Sequence, residues 1–222
     1  MSAPRAYVSW SSGKDSAFAL YEAKRSGIAQ IAGVLTTISE AYDRVAMHGV
    51  RAALLERQIA ALGLPCIRVP LPGSCPNEVY EARMAHTYAH LKGEGIEHIV
   101  FGDLFLADIR AYREQQLARA GMQGLFPLWR RDTALLARTM IDSGLVAHIV
   151  CLDPRRLERR FAGRRFDATL LRELPASVDP CGENGEFHTV VTAGPMLAAP
   201  IEVRIGASVE REGFVFTDVI PC

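Results

Sequence analysis

The hexapeptide Ser11-Ser12-Gly13-Lys14-Asp15-Ser16 stands between an apolar stretch, Ala6–Trp10, and a helix-like one that runs to Ser26. A strand, this turn and a helix in succession bring several unpaired backbone N–H groups and a positive helix end to one point. That arrangement favours an anion, phosphate above all. In this reading Gly13 lets the backbone come close, Lys14 adds a cation, and Ser11, Ser12 and Ser16 offer hydroxyl donors. Asp15 alone would repel phosphate, so a bridging Mg²⁺ would make sense of it. The string is not a Walker A loop: an earlier Gly is missing, and Asp15 rather than Ser or Thr follows Lys14. Read without a ligand, the same residues are a polar strand-to-helix connection with a capping box.

The richest polar cluster of the C-terminal third is GENGEFHT, Gly182–Thr189. Glu183, Asn184, Gly185, Glu186 and His188 suit substrate binding or proton handling, because a carboxylate or imidazole near neutrality can take a proton. The ordinary alternative is a Gly-rich turn with solvated polar residues. Which residue would be the base stays open. Arg110 and Arg113 could hold a carboxylate or phosphate bidentately, or Arg110 could pair with Glu114 one turn on. Gly102 and Asp103 close a strand-like segment, His98–Asp103. His86 and His90 have the i,i+4 spacing of zinc ligands, but no H-E-x-x-H glutamate and no obvious third ligand accompany them. Cys66, Cys75 and Cys151 read as small apolar fillers, and Cys181 as the thiol to test for reactivity.

These residues need a scaffold, and the pattern supplies one. Strand-like Ala6–Trp10, Gln30–Ile38, Pro65–Leu71 and His98–Asp103 alternate with helix-like Asp15–Ser26, Gly49–Leu62, Asn77–Lys92 and Ala107–Ala120. Gly27 and Gly63 are placed to end two of the helices. Such alternation implies an α/β fold, a doubly wound parallel sheet with helices on both faces. Ligands of these folds bind at the carboxyl edge of the strands, where the hexapeptide would lie. Asp132–Ser143 reads as a further helix and Ala147–Leu152 as a strand. RRLERRFAGRRF is Arg-dense, its run Arg155–Arg165 reads as a solvated helix face, and the tail reads as β-rich. A boundary near Gly124–Trp129 fits a smaller α+β second domain.

Charge is balanced, with 25 basic and 25 acidic residues in 222, so no strong field draws nucleic acid or an anionic membrane. The N-terminus has no signal-peptide pattern and the chain no long apolar run, which makes a cytoplasmic protein the expectation. Five cysteines without C-x-x-C argue against a disulfide framework.

S-S-G-K-D-S resembles the PP-loop, S-G-G-x-D-S, of the ATP pyrophosphatase (adenine nucleotide alpha hydrolase-like) superfamily, with Ser12 where the family usually has Gly. Gly102-Asp103-Leu104 with Asp108, Arg110, Arg113 and Glu114, then Phe126-Pro127-Leu128-Trp129, then GENGEFHT, resemble the diphthine–ammonia ligase family in the same order. Pro72–Glu78, in place of a more acidic stretch, and the Arg/Ala-rich composition give the look of a bacterial member, whose acceptor would be a carboxylate other than diphthine. The resemblance implies a Rossmann-like PP-loop ATP-binding domain over residues 1–126 and a substrate-binding domain over 127–222. It also implies ATP with Mg²⁺, adenylation of a carboxylate with release of pyrophosphate, and displacement of AMP by ammonia.

Carried onto this chain, the ATP-binding set is Ser11 to Ser16, Thr36, Met47, His48, Gly102 and Asp103, with Asp15 and Asp103 facing a metal. Lys14, Asp15, Glu183, Glu186 and His188 are the catalytic candidates. Arg110, Arg113, Asn184, Gly185 and Glu186 are the substrate-binding candidates. Partners would be a carboxylate-bearing acceptor, small molecule or protein side chain, and ammonia; a homodimer stays open. A side chain at Gly13 is expected to fill the phosphate space, so that Gly13→Val blocks nucleotide without unfolding the chain. The rival readings are a PP-loop enzyme that modifies tRNA and a non-catalytic nucleotide-binding module.

Overall fold

The computed structural model describes residues 3–222. Its first sheet holds five parallel strands: β1 (Arg5–Ser9), β2 (Gln30–Ser39), β4 (Cys66–Leu71), β5 (His98–Val100) and β6 (Gln123–Leu125), in the order β4-β2-β1-β5-β6. A two-residue β3 (Arg44–Val45) adds antiparallel to the end of β2. The direction of winding reverses between β1 and β5, which opens a crevice beyond their carboxyl ends. β1 lies in the centre with Ala6 and Val8 fully buried, as its short apolar sequence demands of a strand covered on both faces.

Helices α1 (Lys14–Ser26), α2 (Ala52–Leu62), α3 (Asn77–Gly93) and α4 (Ala107–Arg119) make the connections. Gly27 and Gly63 take the left-handed conformation at φ 68° and 62° and return their N–H groups to the last turns of α1 and α2, as expected of C-terminal glycines. The expected start of α2 at Gly49 is corrected to Ala52. Gly49 itself is left-handed at φ 67° and closes the β3 turn by donating to the Val45 carbonyl.

α5 (Thr133–Asp142) leads into a second, antiparallel sheet of β7 (Val146–Leu152), β8 (Phe187–Ala193), β9 (Val203–Arg211) and β10 (Phe214–Pro221), ordered β8-β7-β10-β9. A short α6 (Ala168–Glu173) precedes β8. The chain is thus mixed α/β, a parallel sheet followed by a smaller antiparallel part. The Arg-dense segment is not the helix the sequence suggested. It holds a single 3₁₀ turn, Arg159–Phe161, because Gly163 and Arg164 instead exchange backbone hydrogen bonds with Ile149 of β7. Its arginines pair with Asp153, Glu210, Glu158 and Glu173.

One buried apolar cluster runs through both parts, from Val8, Trp10, Phe18 and Leu54 to Ile149, Phe166, Phe187 and Val190. Arg44 and Arg51 also reach across to Asp218. A partly exposed ion pair contributes about 0–1 kcal/mol, whereas burying one large apolar side chain contributes about 1.5–3 kcal/mol. The apolar cluster therefore holds the two sheets together. No helix among the described residues is long and apolar enough to cross a membrane.

Candidate active site

The hexapeptide lies at the reversal point of the parallel sheet. Its hydroxyls brace it from within: Ser11 Oγ is 3.1 Å from Ser16 Oγ, which donates to the Gly13 carbonyl at 3.0 Å. Ser12 is left-handed at φ 69°, a conformation that disfavours a residue with a Cβ by about 1–2 kcal/mol, and its buried hydroxyl has no partner. Gly102, just past β5, approaches so closely that an added Cβ would stand 2.6 Å from the Asp15 carbonyl carbon. The close approach keeps the end of β5 against the first turn of α1. The helix start leaves its first N–H groups without helical partners.

The second sheet caps this loop. Val191 N–H donates to the Ser12 carbonyl at 2.9 Å, and Lys14 N–H to Thr189 Oγ1 at 3.1 Å. The side chain of Gln58, fully buried on α2, reaches Trp10, Ser12 and Val191 together. Thr189 closes the GENGEFHT cluster, but neither Trp10 nor Gln58 stood out in the sequence, because each is an ordinary residue until its distant partners are known.

Lys14 points inward, its side chain 1% exposed. Its ammonium donates to both Asp15 carboxylate oxygens, at 3.0 and 2.8 Å, and to the Cys181 carbonyl. The rings of Phe166 and Phe187 lie 5.5 and 5.4 Å away. Burial, the largest effect, opposes the charge, but Asp15, Cys181 and Glu183 together outweigh it, and Lys14 titrates above the ordinary lysine range. The lysine thus ties the loop to the residues just before Gly182.

GENGEFHT forms a tight turn in which Gly182 and Gly185 have φ 70° and 83°. Glu183 accepts the Leu104 N–H at 2.7 Å, next to Asp103. Burial raises its carboxyl to about 7, against the lowering effect of that hydrogen bond. Glu186, 2% exposed, accepts from Asp179 N–H at 3.0 Å and Asn184 Nδ2 at 3.1 Å through one oxygen. Its other oxygen has no partner.

The His188 and His48 rings lie 4.7 Å apart between centres, tilted by 35°. Burial pushes His188 down to about 4; burial and then the neighbouring His188 push His48 down to about 3. Both rings are neutral at pH 7, which leaves Glu183 as the group poised near neutrality. The His48 ring also occupies the direction in which Gly13 would carry a side chain, with Cε1 2.7 Å from an added Cβ. A side chain at Gly13 would therefore first meet His48 and the Thr189 carbonyl, 2.7 and 3.1 Å from the added Cβ, rather than open phosphate space.

The histidine pair makes a prediction. A ring that titrates normally when unfolded but is held neutral when folded makes the unfolded state bind more protons below pH 6.5. Stability should fall there by roughly 1.4 kcal/mol per pH unit for each ring, levelling off near about 4 for His188 and about 3 for His48. Glu183 acts in the opposite sense over part of this range, so the test is a difference. His188→Asn should lower the change in urea-unfolding free energy between pH 6.5 and 5 by about 2 kcal/mol; an unchanged difference would refute the assignment.

Other candidates disperse. Thr36 is buried with its hydroxyl unpartnered, and Ala46 N–H binds the Thr37 carbonyl beside it. Met47 is 75% exposed. Arg113 Nε stands 2.8 Å from Asp103, off the line of a good hydrogen bond, and its guanidinium stacks on Phe101. Arg110 pairs with Glu114 at 2.8 Å and lies over Phe126 and Trp129. His90 pairs with Glu94, and no group of three His, Cys, Asp or Glu among the described residues could hold a metal. Cys181 is buried and burial pushes its thiol far up, so it is protonated and poorly nucleophilic. Two open depressions of about 430 Å³ each, one between α3 and α4 and one between α1 and α5, lie away from this cluster.

A polar turn at the reversal point of a parallel sheet, closed by an acidic turn from a second sheet, stands where open α/β folds bind their ligands. Residues 4–124 match the diphthamide synthase N-terminal domain and residues 132–219 the diphthamide synthase C-terminal domain. The chain belongs to the diphthamide synthase family. It is 27% identical over 229 residues to the diphthine–ammonia ligase of Danio rerio, covering 94% of this chain and 90% of that protein. The diphthine–ammonia ligase of Schizosaccharomyces pombe is 29% identical over 105 residues, 46% of this chain and 17% of that protein.

Proposed function

We propose that the chain is an ATP-dependent ligase that converts a carboxylate to its amide with ammonia. The observation that carries the reading is the junction itself: Lys14 links the Ser11–Ser16 loop to the backbone of Cys181, two residues before Glu183. Nucleotide and acceptor chemistry would thereby meet at one place, with residues 1–126 as the ATP unit and 127–222 as the acceptor unit.

A carboxylate does not react with ammonia directly, because hydroxide is a poor leaving group. Attack of the acceptor carboxylate on the α-phosphorus releases pyrophosphate and gives an acyl-adenylate. Ammonia then adds to the acyl carbon, AMP leaves, and ammonium's extra proton must be taken up. The loop N–H groups would bind the phosphates as charge develops there. Glu183, half-buried and near neutrality, would take the proton. Glu186, with an unpartnered buried oxygen, would orient the ammonium. The relatives' names give diphthine and ammonia as their substrates, which makes a diphthine-bearing protein the first acceptor to try.

Mg²⁺ fits as an ion carried by the nucleotide rather than as a resident metal. Such an ion needs only one or two protein carboxylates. Asp15, with its side chain 28% exposed at the loop, and Asp103, whose Oδ2 makes no hydrogen bond, are the two at hand, each beside a cation, Lys14 and Arg113. When bound, Mg²⁺ would neutralise charge on the phosphates.

The test is incubation with Mg²⁺, α-labelled ATP, ammonium and a diphthine-bearing protein or other carboxylate acceptors. AMP and pyrophosphate formed in step with amide support the reading. ADP instead, or ATP binding without cleavage under any acceptor, refutes it.

A further inference from the structure

Gln58 is the one polar residue on the buried face of α2, among Leu54, Leu55 and Leu62, and it is fully buried. A leucine would fill that space without the cost of desolvating an amide, so the hydrogen bonds of Gln58 are what set it apart. Oε1 accepts from Trp10 Nε1 at 3.2 Å, and Nε2 donates to the carbonyls of Ser12 at 3.1 Å and Val191 at 2.7 Å. The indole N–H only donates and the carbonyls only accept, so the network itself fixes which way the amide faces. These contacts join the residue that follows β1, the loop and β8 through one side chain.

The Ser12 carbonyl receives two donors, Gln58 Nε2 and Val191 N–H. In a trans peptide the carbonyl and the following N–H point opposite ways. Holding the Ser12 carbonyl inward therefore turns the Gly13 N–H outward, where it donates a long hydrogen bond of 3.4 Å to the half-buried Ser11 hydroxyl, an acceptor that a phosphate oxygen would replace. Ser12 is in the left-handed region, so the peptide does not hold this orientation by preference. We propose that Gln58 is a positioning residue of the phosphate loop: it locks the Ser12–Gly13 peptide with its N–H facing the nucleotide phosphates. The inference rests on the ATP reading above and adds a residue to it.

Gln58→Met keeps the length and volume and removes all three hydrogen bonds. Trp10→Phe removes the indole donor together with part of a buried ring, and leaves the Ser12 carbonyl held. Binding of ATP and of adenosine would be titrated for each protein at a temperature where circular dichroism finds it folded. Gln58→Met should bind ATP about tenfold more weakly, the equivalent of one lost buried hydrogen bond, with adenosine affinity unchanged and Trp10→Phe within about twofold of the wild type on both. If Gln58→Met does not fold, Gln58→Asn, which keeps an amide but cannot span all the partners, should give the same ATP-selective loss at smaller amplitude. Equal weakening of ATP and adenosine, or a lowered melting temperature with ATP affinity intact, overturns the positioning role. Wild-type protein that binds no ATP refutes the nucleotide reading and this inference with it.

Discussion

Glu183→Gln is expected to slow amide formation by about 10²–10³-fold, the usual effect of removing a general base, while ATP affinity stays within about twofold. Glutamine keeps the oxygen that accepts the Leu104 N–H, so the turn should hold its shape and only proton uptake is lost. In the wild type the rate at saturating substrates should climb as pH passes about 7, where Glu183 becomes a carboxylate; the climb should be absent in Glu183→Gln. Persistence of the same limb in the variant would place the base elsewhere. Stability supplies a second reading. A carboxyl whose folded pKa is raised above its unfolded value favours folding at low pH and loses that advantage as pH rises through about 7. Glu183→Gln should therefore be more stable than the wild type by about 2 kcal/mol at pH 8 and about equal at pH 4.

The second large effect is expected at Lys14. Lys14→Met retains most of the volume but strips Asp15 of its counter-charge and the Cys181 carbonyl of a donor. Breaking a fully buried pair costs about 3–5 kcal/mol. Asp15 is partly exposed, so about 3 kcal/mol, the lower end of that range, is expected in urea unfolding. Lys14→Met with Asp15→Asn should recover much of the loss, since removing both partners leaves no buried lone charge. A double variant no more stable than Lys14→Met would mean that the Cys181 carbonyl, and not Asp15, is what Lys14 serves.

Local signals in the sequence were enough for the frame. Gly27 and Gly63 ended α1 and α2 where expected, because a left-handed C-terminal position is easiest for glycine. Asp132 caps α5 through the Leu135 N–H. The Arg-dense segment misled because its charge pattern is compatible with a helix, while its backbone is captured by β7. β6 was missed because a three-residue strand carries too little period to read.

The chain's own order determined the strand–loop–helix turn at Ser11–Ser16, the parallel sheet that presents it, and the clustering of carboxylates at Gly182–Thr189. Such features depend on neighbours a few residues away, and backbone propensity acts at that range. Only the tertiary structure decided what the groups do there. Lys14 meets a carbonyl 167 residues on, and His48 the Thr189 carbonyl 141 residues on. Charge, tautomer and pKa follow from burial and from partners of this kind, and sequence spacing encodes neither. The same lysine that reads as a free phosphate ligand in a string of six letters becomes an interior strut once a second sheet closes over it.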